Sequence, residues 1–161
     1  PERFDKILIS SEQEYKIFKK YKWNDDKLIK AGLPRWDLLE DTRKDNKKSI
    51  LFMFTWRKLN KALFNESLYK KHIISLMNNS FLQDYLSEKG IKIYFAPHHS
   101  LSNLRGINFR IENDNIEYIG SGNVSKYIKE CSMLVTDFSS VAFDFMYLNK
   151  PVLFYILDYM N

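Results

Sequence analysis

Thr136-Asp137-Phe138-Ser139-Ser140 follows the apolar run Met133-Leu134-Val135 and precedes Val141-Ala142-Phe143-Asp144-Phe145, so two hydroxyls stand where a strand gives way to a helix. That pattern suits a phosphate. The strand delivers Thr136 and Asp137 to the carboxyl edge of a sheet, and the next helix begins with free backbone N–H groups at its positive dipole end. Ser139 and Ser140 either cap that helix or donate to an anion, and the residues alone leave both roles open. Asp144 follows about one turn into the helix.

Three further polar groups fall at strand ends. In Gly32-Leu33-Pro34-Arg35-Trp36-Asp37 a rigid turn holds the Arg35 guanidinium, which suits a phosphate or a structural carboxylate. Thr55-Trp56-Arg57 directly follows a buried apolar run and offers a hydroxyl and the fixed-fork donor Arg57. Pro97-His98-His99 carries two of the three histidines of the chain, at a strand end after a proline. His72 lies inside a helical pattern and is assigned no role. Metal binding is not indicated, because the paired histidines are adjacent, no carboxylate cluster accompanies them and there is no cysteine pair. Dinucleotide, P-loop and α/β-hydrolase readings lose their usual support, since no G-x-G-x-x-G, G-x-x-x-x-G-K or G-x-S-x-G occurs.

The elements that must position these groups follow from apolar spacing and turn chemistry. Lys6 to Ser10 reads as a strand, and Ser11 with Glu14 as a capping box opening a helix to about Lys20. A strand over Lys27 to Ala31 runs into the Gly32 turn, after which Asp37 to Asp41 is expected to form a short helix. Ser49 to Thr55 has the continuous apolar character of a strand buried on both faces. Asn65 to Lys89 reads as two helices broken near Asn78-Asn79-Ser80, with Gly90 ending the second. Strands are expected at Ile91 to Phe95, Ile116 to Ile119 and, as a last buried strand, Val152 to Ile156. Helices are expected over Val124 to Cys131 and Ser139 to Leu148, the latter stopping before Pro151. Strands alternating with helices at this spacing imply an α/β fold, a Rossmann-like three-layer domain with a mostly parallel sheet.

With 161 residues, 45% of them hydrophobic, the chain can bury a sizeable core as one domain over residues 1–161. The formal charge of +5, from 25 Lys and Arg against 20 Asp and Glu, favours anionic partners. The lone Cys131 has no intramolecular partner, reads as a core residue and fits a reducing compartment. No apolar run reaches the roughly 18 to 20 residues that cross a bilayer. The start at Pro1 and the end shortly after an apolar strand lead us to expect a piece of a longer protein.

Thr136-Asp137-Phe138-Ser139-Ser140-Val141, with Lys150-Pro151-Val152 and Phe154-Tyr155, resembles a motif of the CDP-glycerol glycerophosphotransferases, which polymerise or prime teichoic acids. Gly32-Leu33-Pro34-Arg35-Trp36-Asp37, Phe54-Thr55-Trp56-Arg57 and the histidine segment support the resemblance in order, over nearly the whole chain. It implies a GT-B architecture, two Rossmann-like halves facing a cleft, with this chain matching most of the carboxyl-terminal, nucleotide-binding half. It further implies that an acceptor hydroxyl attacks the β-phosphorus of CDP-glycerol, or a related CDP-alcohol, and that CMP leaves. No cofactor is implied. By resemblance Ser139, Ser140 and the helix N-terminus after Thr136 and Asp137 hold the diphosphate, His98 donates to it, Arg57 and Arg35 are secondary ligands, and Asp144 either faces the ribose or has a solvated or capping role. The family shows His-Pro where this chain has Pro97-His98-His99, so His98 is favoured but His99 stays open. Phe138 replaces a more usual tyrosine and is expected to pack. The acceptor, a polyol phosphate or glycan, is expected to bind through the missing half. Any peripheral membrane contact belongs to the full-length protein at the cytoplasmic face of the membrane. A GT-B glycosyltransferase using a nucleotide-sugar is the alternative enzyme. A basic, non-catalytic module for nucleic acid or acidic membrane is weaker, because the positive charges are spread and no nucleic-acid motif occurs.

Overall fold

The structure, a computed structural model, describes residues 4–44, 48–55, 67–98 and 109–156. It forms two compact units, Pro1–Leu39 and Glu40–Asn161.

The first unit is a small βαβ arrangement. Strands β1 (Ile7–Ile9) and β2 (Leu28–Lys30) pair in parallel, Ile7 opposite Leu28, and helix α1 (Glu12–Lys20) connects them. Ser11 caps as its spacing predicts, while Glu14 reaches one residue further back than the Ser11 N–H of a capping box. Ser11 Oγ accepts from Glu14 N at 3.1 Å, and the Glu14 carboxylate accepts from Ser10 N at 2.7 Å. Donation from Ser10 holds that carboxyl below its ordinary pKa. After β2 the chain makes one 3₁₀ turn, Pro34–Trp36, and then turns again. The short helix expected over Asp37 to Asp41 does not form, because Pro34 fixes φ for a tight turn at its own position and the helix start moves there.

The second unit contains a five-stranded, all-parallel sheet built from β3 (Lys48–Met53), β4 (Ile91–Phe95), β5 (Ile116–Tyr118), β6 (Met133–Thr136) and β7 (Val152–Phe154). Their spatial order is β5-β4-β3-β6-β7. The order reverses between β3 and β6, whose onward connections run in opposite directions, and this is the switch point where doubly wound folds open a ligand crevice. Helices α2 (Leu68–Met77) and α3 (Ser80–Lys89) break where the Asn78-Asn79-Ser80 signal predicts, with Asn79 Oδ1 accepting from Leu82 N at 3.0 Å. Gly90 closes α3 at φ 61°, the left-handed conformation that glycine adopts without steric cost.

Helices α4 (Val124–Glu130) and α5 (Val141–Tyr147) complete the unit. Phe52, Ile93, Phe95 and Val135 pack against Ile73, Met77 and Leu86 of α2 and α3. On the opposite sheet face Tyr94 meets Tyr127 of α4, ring centroids 4.4 Å apart. Cys131 is buried, and burial pushes its thiol up to about 11. The strand at Val152 differs from expectation. It forms, but Leu153 and Phe154 are each half exposed, because β7 is the outermost strand of the described sheet.

Candidate functional site

Parallel pairing brings the carboxyl ends of β4, β3 and β6 to one edge in register, Phe52 opposite both Phe95 and Val135, and Met53 opposite Thr136. Beyond those ends lie His98, Thr55 and the 137–140 turn respectively, so three of the four polar groups found in the sequence share one edge of the switch point. Arg35 lies in the 3₁₀ turn of the first unit. Arg57 and His99 lie outside the described residues.

Within the shared edge the polar residues divide by burial. Thr136 is fully buried and its Oγ1 donates to Met53 O at 2.5 Å, stapling β6 to β3. Asp137 is fully buried as well. Its Oδ1 accepts from Thr55 N and from Phe138 N, each at 2.7 Å, and its Oδ2 accepts from Thr55 Oγ1 at 2.8 Å. Three donors on one carboxylate satisfy the charge that burial would otherwise penalise. Asp137 is therefore a bracket between the ends of β3 and β6. Tyr69 of α2 extends the bracket, since its hydroxyl donates to Thr55 O at 3.0 Å.

Ser139 and Ser140 stand at the rim. Ser139 is half-buried and its Oγ accepts from Val141 N at 3.3 Å, a local cap that leaves the hydroxyl proton able to donate outward. Ser140 occupies the N-cap position of α5 and is exposed, with no side-chain capping bond to the helix. His98 is half-buried beyond β4. Asp144 is buried, as are Ala142 and Phe145 of α5. Phe138, expected to pack, is 66% exposed, because Asp137 holds its backbone N–H and the turn directs the ring outward.

The sequence did not reveal two parts of this arrangement. Thr55 reads as a hydroxyl near Arg57, yet it is the partner of Asp137; only the β3–β6 pairing, across 82 positions of sequence, brings the two together. Lys150 sits at the end of α5 in Lys150-Pro151-Val152, and its ammonium is fully buried. It donates to Ile128 O at 2.9 Å and Lys129 O at 2.5 Å, and pairs with Asp41 at 3.2 Å. Burial lowers its pKa, opposed by the Asp41 hydrogen bond. Its place before the last strand was the available signal. Among the described residues no group of three or more His, Cys, Asp or Glu is placed to hold a metal ion, and no helix is long and apolar enough to cross a membrane.

Comparison with known proteins gives this geometry a setting. A family model described as CDP-glycerol:poly(glycerophosphate) glycerophosphotransferase matches residues 1–161. The chain is 30% identical to the minor teichoic acid biosynthesis protein GgaB of Bacillus subtilis (strain 168), over 92% of this chain and 18% of that protein. It is 27% identical to the teichoic acid glycerol-phosphate primase of the same strain, over 96% of this chain and 40% of that one. Among solved structures, the wall teichoic acid polymerase TagF, as a variant soaked with CDPG, aligns with a TM-score of 0.63 at 22% identity, over 95% of this chain and 39% of that chain. That likeness is one of fold, a Rossmann-like half of the GT-B type. The chain spans less than half the length of each of these relatives.

Proposed function

The chain belongs to the CDP-glycerol:poly(glycerophosphate) glycerophosphotransferase family, and from that premise we propose that residues 1–161 are the nucleotide-binding part of a longer enzyme transferring glycerol phosphate from CDP-glycerol in teichoic acid synthesis. The single observation that carries the reading is the three-donor Asp137 bracket, which fixes the ends of β3 and β6 and sets Ser139 and Ser140 on the rim of the switch point. The CDPG in the TagF soak supports the donor class.

In this reading the acceptor hydroxyl attacks the β-phosphorus, a new P–O bond forms to the acceptor, and the bond to the bridging oxygen breaks. CMP departs with that oxygen and its negative charge, and the acceptor proton passes to a base supplied by the rest of the enzyme. The donor already carries the charge, so the residues here act by holding and stabilising it. Ser139 and Ser140 donate to the diphosphate, and His98 approaches it from the β4 side. Thr136 and Asp137 hold the turn, while Arg35, Arg57, His99 and Asp144 stay as secondary candidates. The place of work follows the donor, at the cytoplasmic face of the membrane.

Calorimetric titration of the full-length enzyme with CDP-glycerol, CDP-ribitol, UDP-glucose and CMP tests the assignment. A preference for cytidine ligands is expected, with Ser139→Ala/Ser140→Ala weakening CDP-glycerol about tenfold or more through loss of two donors. Equal affinity for UDP-glucose would overturn the donor class, and an unchanged double variant would overturn the serine roles.

A further inference from the structure

At the sheet edge opposite the strand carboxyl ends lies a concave feature. Lys48 begins β3, and Gly90 and Lys92 flank the start of β4, so the cavity they line with Lys44 and Lys126 opens at the amino edge of the same sheet. It measures about 490 Å³, within the range that holds a discrete ligand. Ser49, buried, and Tyr94, half-buried, lie among its lining residues.

The charge around it is one-sided. Four lysines, Lys44, Lys48, Lys92 and Lys126, line it with one carboxylate residue, Glu130. Lys92 is held by Glu117 at 2.6 Å. Among the described residues, no carboxylate lies within ion-pair distance of Lys44, Lys48 or Lys126. The nearby Asp41 is already held by Arg43 at 2.6 Å and by Lys150. Lysines lining one concavity raise its positive potential, which favours entry of an anion, and low-dielectric walls strengthen that attraction.

We propose that this cavity is an anion subsite for successive phosphates of a poly(glycerol phosphate) chain, a deepening of the function proposed above, on which the identity of the polymer rests. The donor belongs at the opposite, carboxyl edge of the sheet. Lysines fit a repeating chain better than arginines would. Their compact charges on flexible stems accept a phosphate in any register, where a guanidinium fork favours one planar geometry. A recessed, mostly polar cavity also separates this ligand from a membrane surface, which a convex basic face with apolar anchors would bind.

Fluorescence anisotropy with a labelled glycerol-phosphate oligomer and the full-length enzyme tests the subsite. Lys44→Glu/Lys48→Glu/Lys126→Glu should weaken oligomer binding about tenfold or more and flatten its salt dependence, with the glutamine triple variant intermediate. All three side chains belong to exposed residues, and unchanged melting temperatures of both variants confirm folding. The affinity for CDP-glycerol should not move. Unchanged oligomer affinity in the glutamate variant would overturn the proposal, as would failure of the wild-type enzyme to bind the oligomer. So would loss of binding to phosphatidylglycerol vesicles while oligomer binding persists. An enzyme that holds the oligomer through these lysines but ignores CDP-glycerol refutes the donor reading and leaves the subsite standing.

Discussion

Asp137 joins two strands through one side chain, and its removal separates packing from chemistry. Asp137→Ala removes the buried acceptor that the Thr55 N–H, the Thr55 hydroxyl and the Phe138 N–H share at this part-buried strand end. Each unsatisfied buried donor carries a desolvation penalty, so a loss of about 2–4 kcal/mol is expected in urea denaturation. Asp137→Asn keeps one acceptor oxygen for the two backbone donors and turns its amide toward Thr55 Oγ1, which can accept. A cost of roughly 1 kcal/mol is expected there. Equal costs for the two variants would show that the bracket does not hold this edge together. The sequence placed Asp137 at a strand end, and the resemblance put it in the diphosphate turn, but neither revealed its bonds to Thr55. Residue type and position are legible in a sequence, whereas which lone pairs are already occupied depends on a partner far away in the chain.

Elements end where local chemistry ends them, and α4 ends partly on a residue from elsewhere. Lys150 closes its last carbonyls and pairs with Asp41, so Lys150→Met should cost about 2 kcal/mol, measured by thermal or urea unfolding. The pH dependence has a definite sign. Burial tends to raise the Asp41 carboxyl, but hydrogen bonds from Arg43 and Lys150 outweigh it and hold the carboxyl below its ordinary 3.8. A depressed folded value means that the unfolded chain takes up the proton first. The contribution of Asp41 is therefore full above about 3.8 and is lost as the pH falls through the folded value. Lys150→Met should flatten that acid limb, and an unaltered acid profile would argue that Arg43 alone sets it. Most element positions were legible, because capping residues such as Ser11, Asn79 and Gly90 act locally. The helix expected at Asp37 to Asp41 was not, since Pro34 set a turn three residues earlier.

Among the described residues, apolar side chains stand exposed on β7 and the helix beside it. Phe143, Met146 and Tyr147 of α5 and Leu153 and Phe154 of β7 are each half exposed or more, on the outermost strand of the described sheet and the helix beside it. An uncovered apolar edge is a template for association. The 161-residue chain alone should therefore self-associate with rising concentration, and Phe154→Lys should raise its monomer fraction in light scattering. A monomeric wild-type chain at high concentration would contradict this. The sequence by itself determined the alternation of strands and helices, the parallel sheet and the strand ends that carry polar residues, because apolar periodicity and turn residues act within a few positions. Only the tertiary structure decided that β7 is an exposed edge, that Asp137 binds Thr55 rather than facing outward, and that four lysines share one cavity. Each of these depends on which strands become neighbours, and strand order is set by burial summed over the whole sheet rather than by any one segment.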